Sequence, residues 1–175
     1  MKAIVFKTPG LPIQDPQSLF DMDLPKPTPG GRDLLIEVRA IAVNPVDTKV
    51  RARSTSDQPQ VLGWDAVGIV RQVGDEVSLF QPGDEVFYAG AIDRPGTYSE
   101  FHLVDERIVG HKPRSLDNAS AAALPLTSIT AWELLFDRLG IEKDGGKAKT
   151  CWLSALAVVW AQFWFNWRAS LPTSP

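Results

Sequence analysis

The sequence has very few of the residues that build disulfides and metal centres. It contains one cysteine, Cys151, and two histidines in 175 residues. A single cysteine excludes an internal disulfide framework and a cysteine-rich zinc site, and it favours a reducing cytoplasm. His102 and His111 have no cysteine near them, so we interpret each as a structural or surface residue and not as a zinc ligand.

An excess of either charge sign is also absent. The formal net charge is -3, and acidic and basic residues are interleaved without a polybasic run. This pattern favours neither nucleic acid nor an anionic membrane as a partner, so we expect a small molecule. The apolar run in "MKAIVFKTPG" is too short for a secretion signal, which predicts that the chain is not exported.

The last 25 residues lack charge almost completely, since Arg168 is the only charged residue there among 39 in the chain. The stretch "CWLSALAVVWAQFWFNW", residues 151–167, holds four of the six tryptophans. One interpretation is a short membrane span, although polar residues interrupt it. Another is an amphipathic helix that binds a partner through Trp160, Trp164 and Trp167, which share one helical face.

Short strand-like runs separated by turn residues predict a small β-barrel or sandwich up to about residue 110. In "LLIEVRAIAV" the residues alternate, which places Leu35 and Glu37 on one face and Leu34 and Ile36 on the other. Gly63, Gly68 and Gly74 are interpreted as corners and sites of close backbone approach. They are not a dinucleotide-binding fingerprint, because no helix follows them.

The pattern changes to a helical period after "HKPRSL". "DNASAAALP" predicts a short helix that ends near Pro125, and "TSITAWELLFDRLG" predicts a second one that stops at Gly140. "IEKDGGKAKT" is typical of a polar turn before a buried strand. An all-β unit followed by helix, turn and strand indicates that a second, α/β domain begins here.

Two segments carry candidate functional groups. "VNPVDTKVR" follows a strand and offers an amide, a carboxylate and positive charge at Asn44, Asp47 and Lys49, which could bind a polar substrate or relay a proton. The alternative is a turn in which Asn44 and Asp47 bond the local backbone. "PLTSITAW" places Thr127 and Thr130 near a helix start, where they either cap the helix or help to dock a phosphate or carboxamide.

Five motifs, in order along residues 1–150, resemble the medium-chain dehydrogenase/reductase superfamily, and its zinc-type alcohol dehydrogenase-like and quinone oxidoreductase branch in particular. They are "VNPVDTKVR", "LGWDAVGIV", "VGDEVSLFQPGDEV", "GTYSEFHLVDE" and "AAALPLTSITAWELLF". The resemblance implies a mainly β GroES-like barrel, the catalytic domain, over 1–112. It also implies the first helices of an incomplete α/β Rossmann domain that binds NADPH, over 113–150.

The resemblance further implies hydride transfer from NADPH to a quinone or an enone. Asn44 would orient the acceptor and Thr130 the nicotinamide, with Asp47, Lys49 and Thr127 as weaker candidates. Zinc-containing members have cysteine where Asn44 stands and a histidine-glutamate pair where Trp64 and Asp65 stand. Because an amide and a tryptophan do not replace those ligands, we expect no metal site.

The tail departs from this family, in which a strand and a glycine-rich loop should follow residue 150. Joining the last base of each codon to the first two bases of the next tests for a shifted reading frame. Cys151-Trp152 then encodes leucine, Trp160-Ala161 glycine, and residues 163–167 encode Leu-Val-Gln-Leu, where the glutamine codon has a stop codon as its alternative. A loop such as LVIGAGGGVGSILVQLA fits the remaining ambiguous positions. We therefore predict that 151–175 is an out-of-frame tail.

These observations predict a cytoplasmic oxidoreductase lineage whose present chain binds and turns over little NADPH. The alternative is a GroES-like module that binds a ligand or partner without redox chemistry. Helices without the sheet that they should cover expose apolar surface, which predicts a homodimer or aggregation.

Overall fold

The computed structural model describes residues 1–54 and 58–140. The predicted strand at the beginning of the tail, the shifted glycine-rich loop and the whole segment 151–175 lie outside the described residues. Two compact units divide the chain, Met1–Pro125 and Leu126–Pro175. The expected boundary between a β-domain and an α/β domain, at 112/113, thus falls inside the first unit.

The first unit contains eight strands, two α-helices and a 3₁₀ helix, Glu106–Ile108, within the described residues. The strands are β1 Lys2–Phe6, β2 Phe20–Asp23, β3 Asp33–Ala42, β4 Gln60–Val61, β5 Asp65–Val73, β6 Glu85–Ala89, β7 Phe101–Asp105 and β8 Val109–His111. Helix α1 spans Pro45–Arg53 and α2 spans Asn118–Ala122. The predicted predominance of short strands over this region is confirmed.

The strands form two antiparallel sheets. One has the order β2-β1-β4 and the other the order β7-β3-β5-β6-β8. An isolated bridge between Ala3 and Ser99 connects β1 with the segment that precedes β7. Every pair in the sheets is antiparallel, as expected for strands joined by short turns.

Strand β3 is buried on both faces at its start, which differs from the half-buried strand that the alternation predicts. Leu34, Leu35 and Ile36 are each 0% exposed. The register against β5 shifts between Leu35 and Ile36 and again between Val38 and Ala40. Such bulges re-aim side chains, so the simple alternation of the sequence does not hold along the whole strand.

The core of the large sheet is formed by Leu34, Ile36, Ala66, Val70, Val86, Tyr88 and Val104. The expectation that the glycines are packing residues is confirmed. A Cβ at Gly68 would overlap Ile36 and the carbonyl of Glu37, and one at Gly74 would overlap the backbone of Gly30 and Gly31. Neighbouring strands approach here at distances that only glycine permits.

The two histidines are a structural and a surface residue, as predicted. His102 is 5% exposed, and its Nε2–H donates to the carbonyl oxygen of Pro95 at 2.9 Å, while Nδ1 accepts the Tyr88 hydroxyl at 3.1 Å. Burial lowers the pKa of His102 from 6.5 to about 4. His111 is exposed at the end of β8.

The helices after residue 116 begin close to where the sequence predicts them. Asp117 caps α2, since its side chain accepts the N–H of Ser120 at 2.7 Å. Within the described part of the chain, Asn118–Arg138 is long and apolar enough to cross a membrane, by length and composition only. Since a core helix passes the same test, the expected absence of a membrane partner stays a prediction.

The second unit is described from Leu126 to Gly140 and contains most of α3, Pro125–Trp132, and a π-helical turn, Glu133–Arg138. The hydrogen bond from Leu139 N–H to Leu134 O spans five residues, as in a π-helix. Ala131 and Leu135 are buried, whereas Leu139 is 51% exposed. The wider turn breaks the 3.6-residue period that places Leu139 with them in the sequence pattern.

Candidate functional site

Asn44 and Asp47 lie at the start of helix α1, where the sequence predicts a loop. β3 ends at Ala42 and the helix begins at Pro45, with Asn44 as its N-cap. Proline is favoured at the first helical position, and an acidic residue in the first turn faces the positive end of the helix dipole. Asp47 Oδ2 accepts the backbone N–H of Asn44 at 2.6 Å. The hydrogen bond between Asp47 and the local backbone, which the sequence predicts for a turn, is therefore present, but it caps helix α1.

The amide of Asn44 is held from a second side by Asp65. Its Nδ2 donates to Asp65 Oδ2 at 2.9 Å, and the two residues are 9% and 0% exposed. Antiparallel pairing produces this contact, because Ala42 at the end of β3 is the register partner of Asp65 at the start of β5. A carboxylate only accepts, so the nitrogen and not the oxygen of the amide faces Asp65.

Asp47 is a buried carboxyl group, 3% exposed. Burial raises its pKa, while the Asn44 N–H, the Tyr98 hydroxyl and the Gly63 N–H oppose that rise. Its Oδ1 and the Tyr98 hydroxyl oxygen are buried and make no hydrogen bond within the described residues. Burial and the nearby charge of Asp47 together raise the pKa of Tyr98. The two groups therefore interact electrostatically.

Lys49 does not join this cluster in the described part of the chain, since it is exposed on α1. The other polar residues of the segment have structural contacts. Thr48 Oγ1 donates to the carbonyl of Pro45 at 2.9 Å, and Arg51 Nη1 donates to the carbonyl of Leu11 at 2.8 Å. The structure thus brings together Asn44 and Asp47 and leaves Lys49 at the surface of the same helix.

Thr127 and Thr130 lie inside α3, which begins at Pro125, so neither is at the capping position. Thr130 is exposed, and its Oγ1 donates to the carbonyl of Leu126 at 3.0 Å. This bond leaves the hydroxyl oxygen as an acceptor, which suits an N–H donor better than a phosphate. Both threonines belong to the second compact unit.

Sequence reasoning missed Asp65 and Tyr98 as neighbours of the candidate residues. A charged residue at the first position of the apolar run "DAVGIV" was a usable signal, because a buried carboxylate requires partners. No comparable signal marks Tyr98, since aromatic residues in strand-like segments most often pack in the core.

The donor set around Asn44 does not fit a zinc ion. The amide nitrogen is turned toward Asp65, and Trp64, which is 8% exposed, has no group that binds zinc. Within residues 1–54 and 58–140, no group of three or more histidine, cysteine, aspartate or glutamate residues could hold a metal ion.

The described residues also contain no glycine-rich turn that could bind the phosphates of a dinucleotide. Backbone and side-chain atoms of other residues pack closely against Gly63, Gly68 and Gly74. A glycine-rich turn that binds a pyrophosphate needs accessible backbone amides at the start of a helix, which these glycines do not provide. An open pocket lies by Arg94 and Arg107. These arginines form bidentate pairs with Asp33 and Asp105, so their charge is already compensated.

Comparison with known proteins places the β-unit in a family. Residues 30–114 match the alcohol dehydrogenase GroES-like domain. A zinc-type alcohol dehydrogenase-like protein of Staphylococcus epidermidis is 43% identical over 149 residues, which is 85% of this chain and 44% of the relative. The chain thus spans less than half the length of the curated relatives it matches.

Two solved structures show the same relationship. A Rhizobium etli protein, described as a zinc-dependent alcohol dehydrogenase, has 63% identity and a TM-score of 0.76 over 78% of this chain and 40% of its own. The Escherichia coli quinone oxidoreductase complexed with NADPH has 30% identity and a TM-score of 0.69 over 81% of this chain and 42% of its own.

The fold is thus a GroES-like β-unit with the helices that begin a Rossmann domain. The chain belongs to the medium-chain dehydrogenase/reductase superfamily, in its zinc-type alcohol dehydrogenase-like and quinone oxidoreductase branch. This family consists of oxidoreductases, and the resemblance drawn from the five motifs is confirmed.

Proposed function

We propose that this chain derives from a cytoplasmic, NADPH-dependent oxidoreductase that transfers hydride to a quinone or an enone without zinc, and that the chain itself has negligible activity. The observation that carries the proposal is the buried amide of Asn44, fixed by Asp65 at the position where zinc-containing relatives have a cysteine. A fixed, uncharged amide can orient a carbonyl acceptor, which requires alignment more than a Lewis acid.

Asn44 is the residue that orients the acceptor in this proposal, and Asp47 holds its backbone. Lys49, exposed on the same helix, is a weaker candidate that would meet the charged part of a ligand. Thr130 would contact the nicotinamide with its hydroxyl oxygen, with Thr127 beside it. When bound, NADPH supplies the hydride, and the residues named here supply only the orientation.

The proposed inactivity rests on the segment that follows the described residues. The alignment with the Staphylococcus epidermidis protein extends over 149 residues, close to the 150 residues that precede the tail with its single charge. This length supports an out-of-frame origin for 151–175. Sequencing the gene across codons 148–153 tests that origin, and a sequence without a glycine-rich loop in the alternate frame would contradict it.

Turnover of NADPH with a quinone separates the active lineage from the present chain. We expect NADPH oxidation at the background rate for this chain and clear turnover for a chain with the frame restored. In the restored chain, Asn44→Ala should lower kcat/KM about 10- to 100-fold, because the acceptor loses its alignment. Lys49→Ala is the matched control on the same helix and should have a smaller effect.

Two outcomes would contradict the proposal. Micromolar affinity of the present chain for NADPH would show that the cofactor site does not need the missing loop. A restored chain that binds a quinone but never oxidises NADPH would favour the alternative, a GroES-like module without redox chemistry.

Self-association is expected from the apolar surface of the second unit. Ile129, Trp132 and Leu139 are 46%, 48% and 51% exposed. Size-exclusion chromatography with light scattering should therefore detect homodimers or larger species at rising concentration. Ile129→Ser with Leu139→Ser should reduce them, whereas Ile13→Ser with Ile92→Ser, at exposed positions of the first unit, should not. A monomer at every concentration would refute this expectation.

A further inference from the structure

Two buried polar atoms next to Asn44 have no hydrogen bond within the described residues, and they belong to residues that interact electrostatically. They are Oδ1 of Asp47 and the hydroxyl oxygen of Tyr98. Leaving a buried polar group without a partner is unfavourable, so such atoms are uncommon in folded proteins and require an explanation. Neither the capping of α1 nor the packing of the Tyr98 ring needs the hydroxyl group.

Tyr98 has a rigid backbone. Its N–H donates to the carbonyl of Leu62 at 2.9 Å, and its carbonyl accepts the N–H of Ile4 at 2.8 Å. On either side, Thr97 N–H donates to Gly63 O at 3.1 Å and Ser99 bridges to Ala3. Because the Tyr98 backbone is hydrogen-bonded to two other segments, its side chain has a fixed position from which it can orient the neighbouring Asp47 side chain.

Asp47 connects Tyr98 with Asn44. One carboxylate oxygen accepts the Asn44 N–H at 2.6 Å, and the other, Oδ1, is buried without a hydrogen bond, as is the Tyr98 hydroxyl oxygen, within the described residues. Hydrogen bonds to a charged acceptor are stronger than those to a neutral one, so the bond to Asn44 is strongest when Asp47 is ionised. A hydroxyl group beside a carboxyl group favours its ionised form, because the O–H dipole can turn toward the negative charge.

We propose that Tyr98 is a positioning residue for Asn44 and that it acts through Asp47. Tyr98 keeps the buried carboxyl group ionised, and the carboxylate holds the backbone of Asn44 while Asp65 holds its amide. The groups that face the Asp47 carboxyl are the Tyr98 hydroxyl and the backbone N–H groups of Asn44, Gly63 and Asp47 itself. That this positioning matters for catalysis rests on the proposed function. The positioning of Asn44 by Tyr98 does not depend on it.

Nuclear magnetic resonance of the full chain tests the proposal without any need for turnover. In Tyr98→Phe, which keeps the ring, the ¹³C titration midpoint of the Asp47 carboxyl should move to higher pH. Exchange of the Asn44 backbone amide with solvent should accelerate about tenfold, because its hydrogen bond weakens. Tyr88→Phe is the matched control, since Tyr88 bonds His102, and it should change neither signal.

Asp47→Asn should accelerate the exchange of the Asn44 amide, and its protection relative to intrinsic exchange should no longer change with pH in the range where Asp47 titrates. If Tyr98→Phe lowers stability but leaves the Asp47 titration and the Asn44 exchange as in Tyr88→Phe, Tyr98 is only a packing residue and the proposal is wrong. A failure of the NADPH assay with these signals changed would instead count against the proposed function alone.

A fluorinated tyrosine at position 98, which keeps the hydroxyl group, tests the proposal if Tyr98→Phe does not fold. The chain has two tyrosines, so difluorotyrosine incorporated into the Tyr88→Phe chain labels only position 98. The fluorinated hydroxyl is a stronger donor and should lower the titration midpoint of Asp47. An unchanged midpoint would overturn the proposal.

Discussion

Gly63→Ala is expected to destabilise the chain by about 3 kcal/mol or more, because it combines backbone strain with a steric overlap. Gly63 has φ +103°, a conformation that residues with a Cβ rarely adopt. An added Cβ would also overlap the Tyr98 ring and Thr97 Oγ1. The overlap would displace Tyr98 from Asp47, so the Asn44 site should be disturbed together with the fold.

Gly83→Ala is a closely matched control for this substitution. Gly83 has φ +101°, and nothing lies within 4 Å of a Cβ built there. Strain alone should therefore cost about 1 to 2 kcal/mol. Chemical denaturation measures both free energies of unfolding. An equal decrease in the free energy of unfolding for the two variants would show that the close packing of Tyr98 against Gly63 does not contribute to the effect.

Acidification is expected to destabilise the chain through His102. The folded pKa, about 4, lies below the ordinary 6.5 because the ring is buried. The unfolded chain therefore binds a proton that the folded chain does not bind between these two values. The free energy of unfolding should fall by about 3 kcal/mol as the pH drops from 6.5 to 4, and this contribution should be constant outside that window.

The structural reason is the pair of hydrogen bonds that the neutral ring makes. Nε2–H donates to Pro95 O and Nδ1 accepts from Tyr88. A protonated ring has no acceptor nitrogen, so it loses the Tyr88 bond and carries a buried charge near Arg94, which lowers the pKa further.

Denaturation curves at several pH values check this prediction. His102→Gln should be less stable than the unchanged chain near neutral pH and should lack this part of the pH dependence. His111→Gln, at the exposed histidine, should retain it. Parallel pH profiles for the unchanged chain and His102→Gln would refute the assignment to His102.

Much of the β-unit follows from local sequence signals. The turn residues between short apolar runs predicted most of the strands, and the alanine-rich run before Pro125 predicted α2. The role of Gly68 and Gly74 was also predictable, since glycine inside a strand pattern indicates close backbone approach. These signals act over a few residues, so one sequence is enough to interpret them.

Other features depended on residues that are distant in the chain. Helix α1 replaced a predicted loop, because capping by Asp47 and the proline at its first position outweigh a helix sequence with little apolar pattern. The burial of Leu35 depended on packing against both faces of β3, since Leu34 and Leu35 are each 0% exposed. The π-helical turn moved Leu139 away from Ala131 and Leu135, which a regular helical period could not anticipate.

The sequence by itself determined the family, the short-strand architecture and the choice of Asn44 and Asp47 as candidates, because those rest on residue types and spacings within single segments. Only the tertiary structure decided how the candidates are held. Asp65 is 21 positions from Asn44, and Tyr98 is farther still along the chain. Antiparallel pairing places Asp65 beside the Asn44 amide, and the positive φ of Gly63 allows Tyr98 to pack beside the Asp47 carboxyl group. No local sequence pattern predicts these contacts.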